Sequence, residues 1–285
     1  KVYHDIKIKI ISFTSLLFLI TSPTKAQEWE FVGLDSLVIL QLNVEGDTIY
    51  AGTFSRDNSL NSGLYFSSDQ GNKWTKIDSS LGGGSIWEFE KNFDNKIYII
   101  KCPCQAPLAA TLYTSTDNGQ SWLPVNNISA NPIKWLGISP FNPNEIYAID
   151  VLGLGAGRYF NTLYKSTNGG NNWKVSGSFP GSSHGSEISF AFDLTDSTNL
   201  YVIVDDHWTS LYLFKSTDEG ASWSYISSPP FFPREIYGDY SIPDRIYLTP
   251  YPYLSNNGGL SWAKADSGLT DTSSYLSFYQ NKVFN

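Results

Sequence analysis

One eight-residue pattern, Ser-x-Asp-x-Gly-x-x-Trp, occurs five times in this chain and constrains its fold more than any other feature. The copies run Ser67 to Trp74, Ser115 to Trp122, Ser166 to Trp173, Ser216 to Trp223 and Ser255 to Trp262, with Asn168 and Asn257 replacing the Asp in two of them. Their starts lie 48, 51, 50 and 39 residues apart. A near-constant period in that range marks an array of similar units, each of which needs its neighbours to bury its apolar face.

Each copy has a physical task that needs no substrate. The preceding segments, such as Gly63-Leu64-Tyr65-Phe66 and Leu211-Tyr212-Leu213-Phe214, are strand-like, so the pattern sits in a hairpin turn. The carboxylate or amide (Asp69, Asp117, Asn168, Asp218, Asn257) accepts backbone N–H groups inside the turn. The glycine (Gly71, Gly119, Gly170, Gly220, Gly259) supplies a positive φ. The tryptophan (Trp74, Trp122, Trp173, Trp223, Trp262) covers the turn with a large apolar surface. These segments resemble the Asp-box, or BNR, repeats of sialidase-like β-propellers. The resemblance implies an all-β propeller of four-stranded antiparallel blades, with the box as a folding element away from any active site.

A second recurrent mark places the second strand of each blade: Thr48-Ile49-Tyr50, Lys96-Ile97-Tyr98, Glu145-Ile146-Tyr147, Asn199-Leu200-Tyr201 and Arg245-Ile246-Tyr247, each after a turn. The innermost strands are then expected near Val38 to Asn43, Ile86 to Glu90, Trp135 to Ser139, Ile188 to Phe192 and Ile236 to Tyr240, and no helix is needed. Glu28 to Gly33 resembles the segment after each box and is expected as the outermost strand of a closing blade. Only Asp271 to Asn285 remains to complete that blade. The reading is therefore a C-terminally incomplete propeller over residues 27–285, with six or seven blades when complete.

The first 26 residues read differently. Lys7 and Lys9, an apolar run from Ile10 to Ile20 and the small-residue stretch to Ala26 form the pattern of a secretory signal peptide cleaved after Ala26. That run is too short to span a bilayer, which takes about 20 residues, and the mature chain is expected to be secreted or displayed at the cell surface. Cleavage would remove Lys1, Lys7, Lys9, Lys25 and Asp5, leaving 15 basic and 26 acidic residues, a net charge of −11. Such a surface disfavours nucleic acid, whose phosphates dominate its binding. An aromatic share of 15% beside 16% charged residues fits a β-rich extracellular domain.

Hairpin loops alternate between the two ends of a blade, so the box turns share an end with the Ile-Tyr turns. The opposite end carries the longer loops, where functional residues are expected. Trp87, Trp135 and Trp208, the tryptophans outside the boxes and the closing strand, fall at or near it, with Tyr159, Phe160, Phe231, Phe232 and Tyr251. They suit a rim for stacking on sugars or gripping a peptide, while Trp87 and Trp135 equally suit packing within the first-strand core. Asp205-Asp206-His207-Trp208, with Glu187 and His184 on the preceding connection, offers acid, base or metal-binding groups, and a solvated polar loop would have the same composition. No cofactor is implied. Cys102-Pro103-Cys104 reads as a strained local disulfide or as two thiols.

Sialidases, which the boxes resemble, bind a carboxylate with three arginines. Arg56, Arg158 and Arg234 are the candidates here, Arg245 lying on the box side, and no Phe-Arg-Ile-Pro-like segment occurs near the start. The rhythm also resembles propellers of xyloglucan-cleaving hydrolases, whose paired Asp residues face a cleft between two propellers. Sortilin-like receptors and photosystem-assembly propellers share the repeat and bind proteins or peptides without catalysis. The expected function is a non-catalytic binding or scaffold module for a glycan or polypeptide. The alternative is a glycoside hydrolase drawing on Asp57, Asp150, Glu187, Asp205 and Asp206.

Overall fold

The computed structural model describes residues 34, 37–45, 47–54, 61–92, 94–102, 110–129, 131–155, 158–181, 188–205, 211–231, 233, 235–239, 241–249 and 253–265. It also gives the backbone of short strands at 6–8, 18–19, 30–31, 277–279 and 282–284. The chain divides into two compact units, Lys1–Asn126 and Asn127–Asn285.

All five box repeats form antiparallel blades of four consecutive strands. In the first unit, blade 1 comprises Val38–Glu45, Thr48–Phe54, Leu64–Ser67 and Thr75–Lys76. Blade 2 comprises Ser85–Lys91, Ile97–Cys102, Thr111–Ser115 and Leu123–Pro124. In the second unit, blade 3 is Ile133–Ile138, Ile146–Gly155, Arg158–Ser166 and Lys174–Gly181, and blade 4 is Ile188–Phe192, Leu200–Asp205, Leu211–Ser216 and Ser224–Ser227. Blade 5 is Glu235–Gly238, Ile246–Thr249, Tyr253–Ser255 and Ala263–Lys264. Among the described residues the only helical turn is the 3-10 turn Ser79–Leu81.

Short strands near the ends of the chain pair outside the four-stranded pattern of the blades. Ile6–Ile8, inside the expected leader, runs antiparallel to Val38–Glu45 as a fifth strand of blade 1. Glu30–Phe31 pairs with Phe18–Leu19, and Ser277–Tyr279 pairs with Lys282–Phe284. The closing blade is thus not among the described sheets.

The second strands carry the core because both their faces are covered. Every residue of Ile97–Cys102 is buried. Residues directly opposite in an antiparallel pair point to the same face, so the register sorts each blade into two sides. Tyr50 and Leu64 of blade 1 meet Ile86, Phe89, Ile97 and Ile99 of blade 2. Tyr147, Ile149, Leu163 and Phe179 of blade 3 meet Phe190, Leu200, Val202 and Val204 of blade 4. Tyr201, Ile203 and Leu213 of blade 4 meet Ile236, Ile246 and Leu248 of blade 5. Tyr50, Tyr147 and Tyr201 of the Ile-Tyr marks thus face the following blade, whereas Ile97, Leu200 and Ile246 face the preceding one.

A β-bulge recurs in the first strands of blades 1, 2 and 3, where Leu40, Trp87 and Lys134 are the extra residues. Each bulge shifts by one the face taken by the residues before it. After it, Gln41 and Asn43, Glu88 and Glu90, and Trp135 and Gly137 share the face of the Ile-Tyr tyrosine.

Candidate functional site

The five boxes have one hydrogen-bond pattern. In the first, Ser67 Oγ donates to Asp69 Oδ1 (2.8 Å) and accepts from Gly71 N (2.8 Å), while Asp69 Oδ1 accepts from Lys73 N (2.8 Å). The same three bonds recur in the last box on Ser255, Asn257, Gly259 and Ser261, so an amide oxygen replaces the carboxylate without loss of geometry. The box glycines have φ between 81° and 91°, and the residue before each is also left-handed: Gln70, Asn118, Gly169, Glu219 and Gly258. That second left-handed position went unseen in the sequence, because three of its five occupants are not glycine.

The box turn and the Ile-Tyr turn do share an end. Gln70 N donates to Asp47 O, Gly169 N to Asn144 O, Glu219 N to Thr198 O and Gly258 N to Asp244 O, at 2.8–3.0 Å. This end also holds clamps between blades that sequence reasoning missed. Lys165 on blade 3 pairs with Glu219 (2.8 Å) and Glu145 (3.3 Å) and sits 5.3 Å from the centre of the Tyr147 ring. Lys215 on blade 4 pairs with Asp244 of blade 5 and sits 5.4 Å from the Tyr201 ring. Tyr201 OH donates to Asp244 Oδ1 (2.7 Å). Burial and then the neighbouring carboxylates raise both tyrosine pKa values. The Lys215 hydrogen bond, opposed by burial, holds Asp244 below the usual carboxylate range. A lysine opposite the Ile-Tyr tyrosine was the available signal. These groups are consumed by folding.

At the loop-rich end, Asp150 is fully buried. Its Oδ2 accepts from Ser129 Oγ, from Asn131 Nδ2 (2.9 Å) and from Tyr164 OH (3.0 Å), and its Oδ1 from Thr162 N (3.1 Å). A carboxylate held by four donors and closed to solvent is an anchor for the connection into blade 3. These four bonds tie Asp150 to its own blade and to the segment that leads into it.

Trp135 takes the packing alternative. Its ring stacks on Phe190 with centroids 4.4 Å apart, and a Cβ on Gly137 would lie 2.3 Å from the Trp135 ring. The glycine is therefore what lets the indole fold back along its own strand. Phe231 likewise packs into the core between blades 4 and 5, 5.1 Å from Tyr253. Trp87 occupies the bulge of blade 2 and is half-buried.

Among the described residues, blade 3 reaches farther than the other blades. Its second and third strands continue to Gly155 and back from Arg158, and its fourth extends to Gly181. On this extension Leu152 and Phe160 stand directly opposite each other and remain 36% and 44% exposed. Arg158, Tyr159 and Asp205 are placed by their backbone in strands, and their side chains lie outside the described residues. Arg56, Asp57, Cys104, His184, Glu187, Asp206, His207, Trp208, Phe232, Arg234 and Tyr251 also lie outside the described residues. Cys102 is buried at the end of its strand. Among the described residues, no group of three or more His, Cys, Asp or Glu side chains is placed to hold a metal ion, and no helix is long and apolar enough to cross a membrane.

Comparison with solved structures gives the architecture. An ancestral GH74 enzyme superposes with a TM-score of 0.58 over 81% of this chain and 31% of its own, at 18% identity. The fold is a β-propeller. The Aleuria aurantia lectin, solved in complex with a fucosylated GlcNAc, superposes with a TM-score of 0.50 over 82% of this propeller and 79% of its own chain, at 16% identity. In sequence, the propeller is 30% identical to a xyloglucanase of Hypocrea jecorina in an alignment 224 residues long that covers 72% of this chain and 23% of the xyloglucanase. The chain thus spans less than a third of the length of the xyloglucanase and of the ancestral enzyme. No family model matches it.

Proposed function

We propose that this propeller is an exported, non-catalytic carbohydrate-binding module, with the ligand laid along the loop-rich extension of blade 3. The observation that carries the reading is the Leu152–Phe160 pair, an apolar and aromatic surface left in solvent on a sheet whose other face is packed. A ring on a rigid strand stacks on a pyranose face with little ordering cost. The likeness in sequence to a xyloglucanase supports a glycan rather than another small ligand.

The second reading, a glycoside hydrolase, is favoured by one observation, the 30% identity to a xyloglucanase. It would draw on Asp57, Asp150, Glu187, Asp205, Asp206 and His207. The test is to incubate the full chain with xyloglucan, other β-glucans and sialosides, measuring binding calorimetrically and released sugars chromatographically. Binding without products, weakened roughly tenfold by Phe160→Ala, about 1.4 kcal/mol, is the expected result. Released products that vanish on Asp205→Asn or Asp206→Asn would overturn the non-catalytic reading. Binding unaffected by Phe160→Ala would move the ligand off blade 3.

A further inference from the structure

We propose that the inner edge of blade 1 is a strand-addition site for an extended polypeptide carrying basic residues at alternate positions. The site is occupied here by the chain's own Ile6–Ile8. That segment pairs antiparallel with Val38–Glu45, with Ile6 opposite Val44, Lys7 opposite Asn43 and Ile8 opposite Leu42. Among the described strands, blade 1 is the only one of the five blades with a fifth. The segment lies in the leader expected to be cleaved after Ala26, so the mature chain would present this edge with its backbone donors and acceptors unpaired. An unpaired strand edge of this length, eight residues, is a template for pairing with another chain.

Two observations say what this edge accepts. The first is unused hydrogen-bonding capacity. Asn43 is completely buried, yet neither its Oδ1 nor its Nδ2 has a partner, and Gln41 Oε1 beside it has none either. Buried amides are nearly always paired, and here they stay unpaired with the resident segment in place. An amide that offers both a donor and an acceptor matches a peptide group or a hydroxyl- or amide-bearing side chain. The second is charge. Gln41 Nε2 donates to Glu88 Oε1 (3.1 Å) and to Phe89 O (3.0 Å), which ties this face to the first strand of blade 2, where Glu88 and Glu90 are both buried. Glu88, tied to Gln41 in an acidic chain, favours a cationic side chain from the occupant. The resident sequence Ile6-Lys7-Ile8-Lys9 has that alternation. The proposal does not rest on the glycan reading, since the edge lies in Lys1–Asn126 and the Leu152–Phe160 surface in Asn127–Asn285.

The test uses the full chain with a protease site inserted between Ala26 and Gln27, cut after folding and checked by circular dichroism and tryptophan fluorescence. A fluorescently labelled Asp5–Ile10 peptide is then titrated in. Saturable binding is expected. It should weaken at least tenfold for the peptide carrying Lys7→Glu and Lys9→Glu, weaken similarly in the Glu88→Gln protein, and restore hydrogen-exchange protection at Leu42 to Val44. A cleaved segment that stays with the protein at low salt and leaves at high salt is the same result read in reverse. No binding to a protein that is still folded would overturn the proposal. So would equal binding of the Lys→Glu peptide, which is independent of any effect of a protein substitution on folding, or protection appearing elsewhere than on this strand.

Discussion

The ion pair between Lys101 and Asp78 ties blade 1 to blade 2 within the first unit, and breaking it tests whether that joint depends on a buried charge. Asp78 is fully buried and Lys101 nearly so. Their Nζ–Oδ2 distance is 2.5 Å, Lys101 Nζ also donates to Gly82 O (2.8 Å), and Asp78 Oδ1 accepts from Leu64 N (3.0 Å). Lys101→Met would leave the carboxylate with one backbone donor in a place water does not reach. Removing one partner of a buried pair costs about 3–5 kcal/mol, whereas replacing both by neutral groups is often close to neutral. Among the described residues, Lys76 is close enough to both partners to compensate. Burial lowers its pKa first, with Asp78 raising it and Lys101 lowering it further, so its charge already feels both partners. Lys101→Met alone should therefore cost about 3 kcal/mol, and Lys76→Met with Lys101→Met distinctly more. Lys101→Met with Asp78→Asn should recover roughly 2 kcal/mol, because an amide at 78 still accepts from Leu64 N. Urea titration followed by tryptophan fluorescence measures the total, and hydrogen exchange at Ile97 to Lys101 localises it. Losses below about 1 kcal/mol in every variant, or strictly additive losses, would refute the reasoning.

Three further outcomes follow from the same geometry. Gly119→Ala should destabilise by about 2–4 kcal/mol in denaturant titration, because φ is 85° there and the new Cβ would lie 2.8 Å from Ile77 Cδ1. Trp135→Ala should cost about 2–4 kcal/mol of stability through loss of the Phe190 stack, and glycan binding by the protein that remains folded should be unchanged. Stability should also fall on acidification. Hydrogen bonds from Ser121 and Ser222 hold Asp117 and Asp218 at about 2, and Asp244 is lowered too. A depressed carboxyl contributes fully above its unfolded value, about 3.9, and its contribution is lost as pH falls through the folded value. The loss therefore lies between about pH 4 and pH 2. Asp117→Asn with Asp218→Asn should flatten it, as measured by melting temperature against pH, since Asn168 and Asn257 hold the same turn with an uncharged group.

What was legible in the sequence was what local chemistry determines alone. The box works within eight residues, so Ser67, Asp69, Gly71 and their counterparts could be assigned roles from spacing, and the shared end of the two turns followed from strand alternation. Features that depend on a second blade were not legible. Lys165 and Lys215 look like solvated strand residues until the next blade places Glu219 and Asp244 beside them. Asp150 looks like an open carboxylate until Ser129, Asn131 and Tyr164 are seen closing on it. Trp135 looks like a ligand platform until the absent side chain of Gly137 lets its ring fall onto Phe190. In each case a neighbour distant in sequence or on the same or an adjacent strand decides between solvent, core and ligand. The same dependence sets the Leu152–Phe160 surface apart from the edge of blade 1. Leu152 and Phe160 stay 36% and 44% exposed, opposite each other on the longest strand pair among the described residues. Asn43 stays unpaired because the strand laid beside it supplies a backbone edge without supplying partners for the amide.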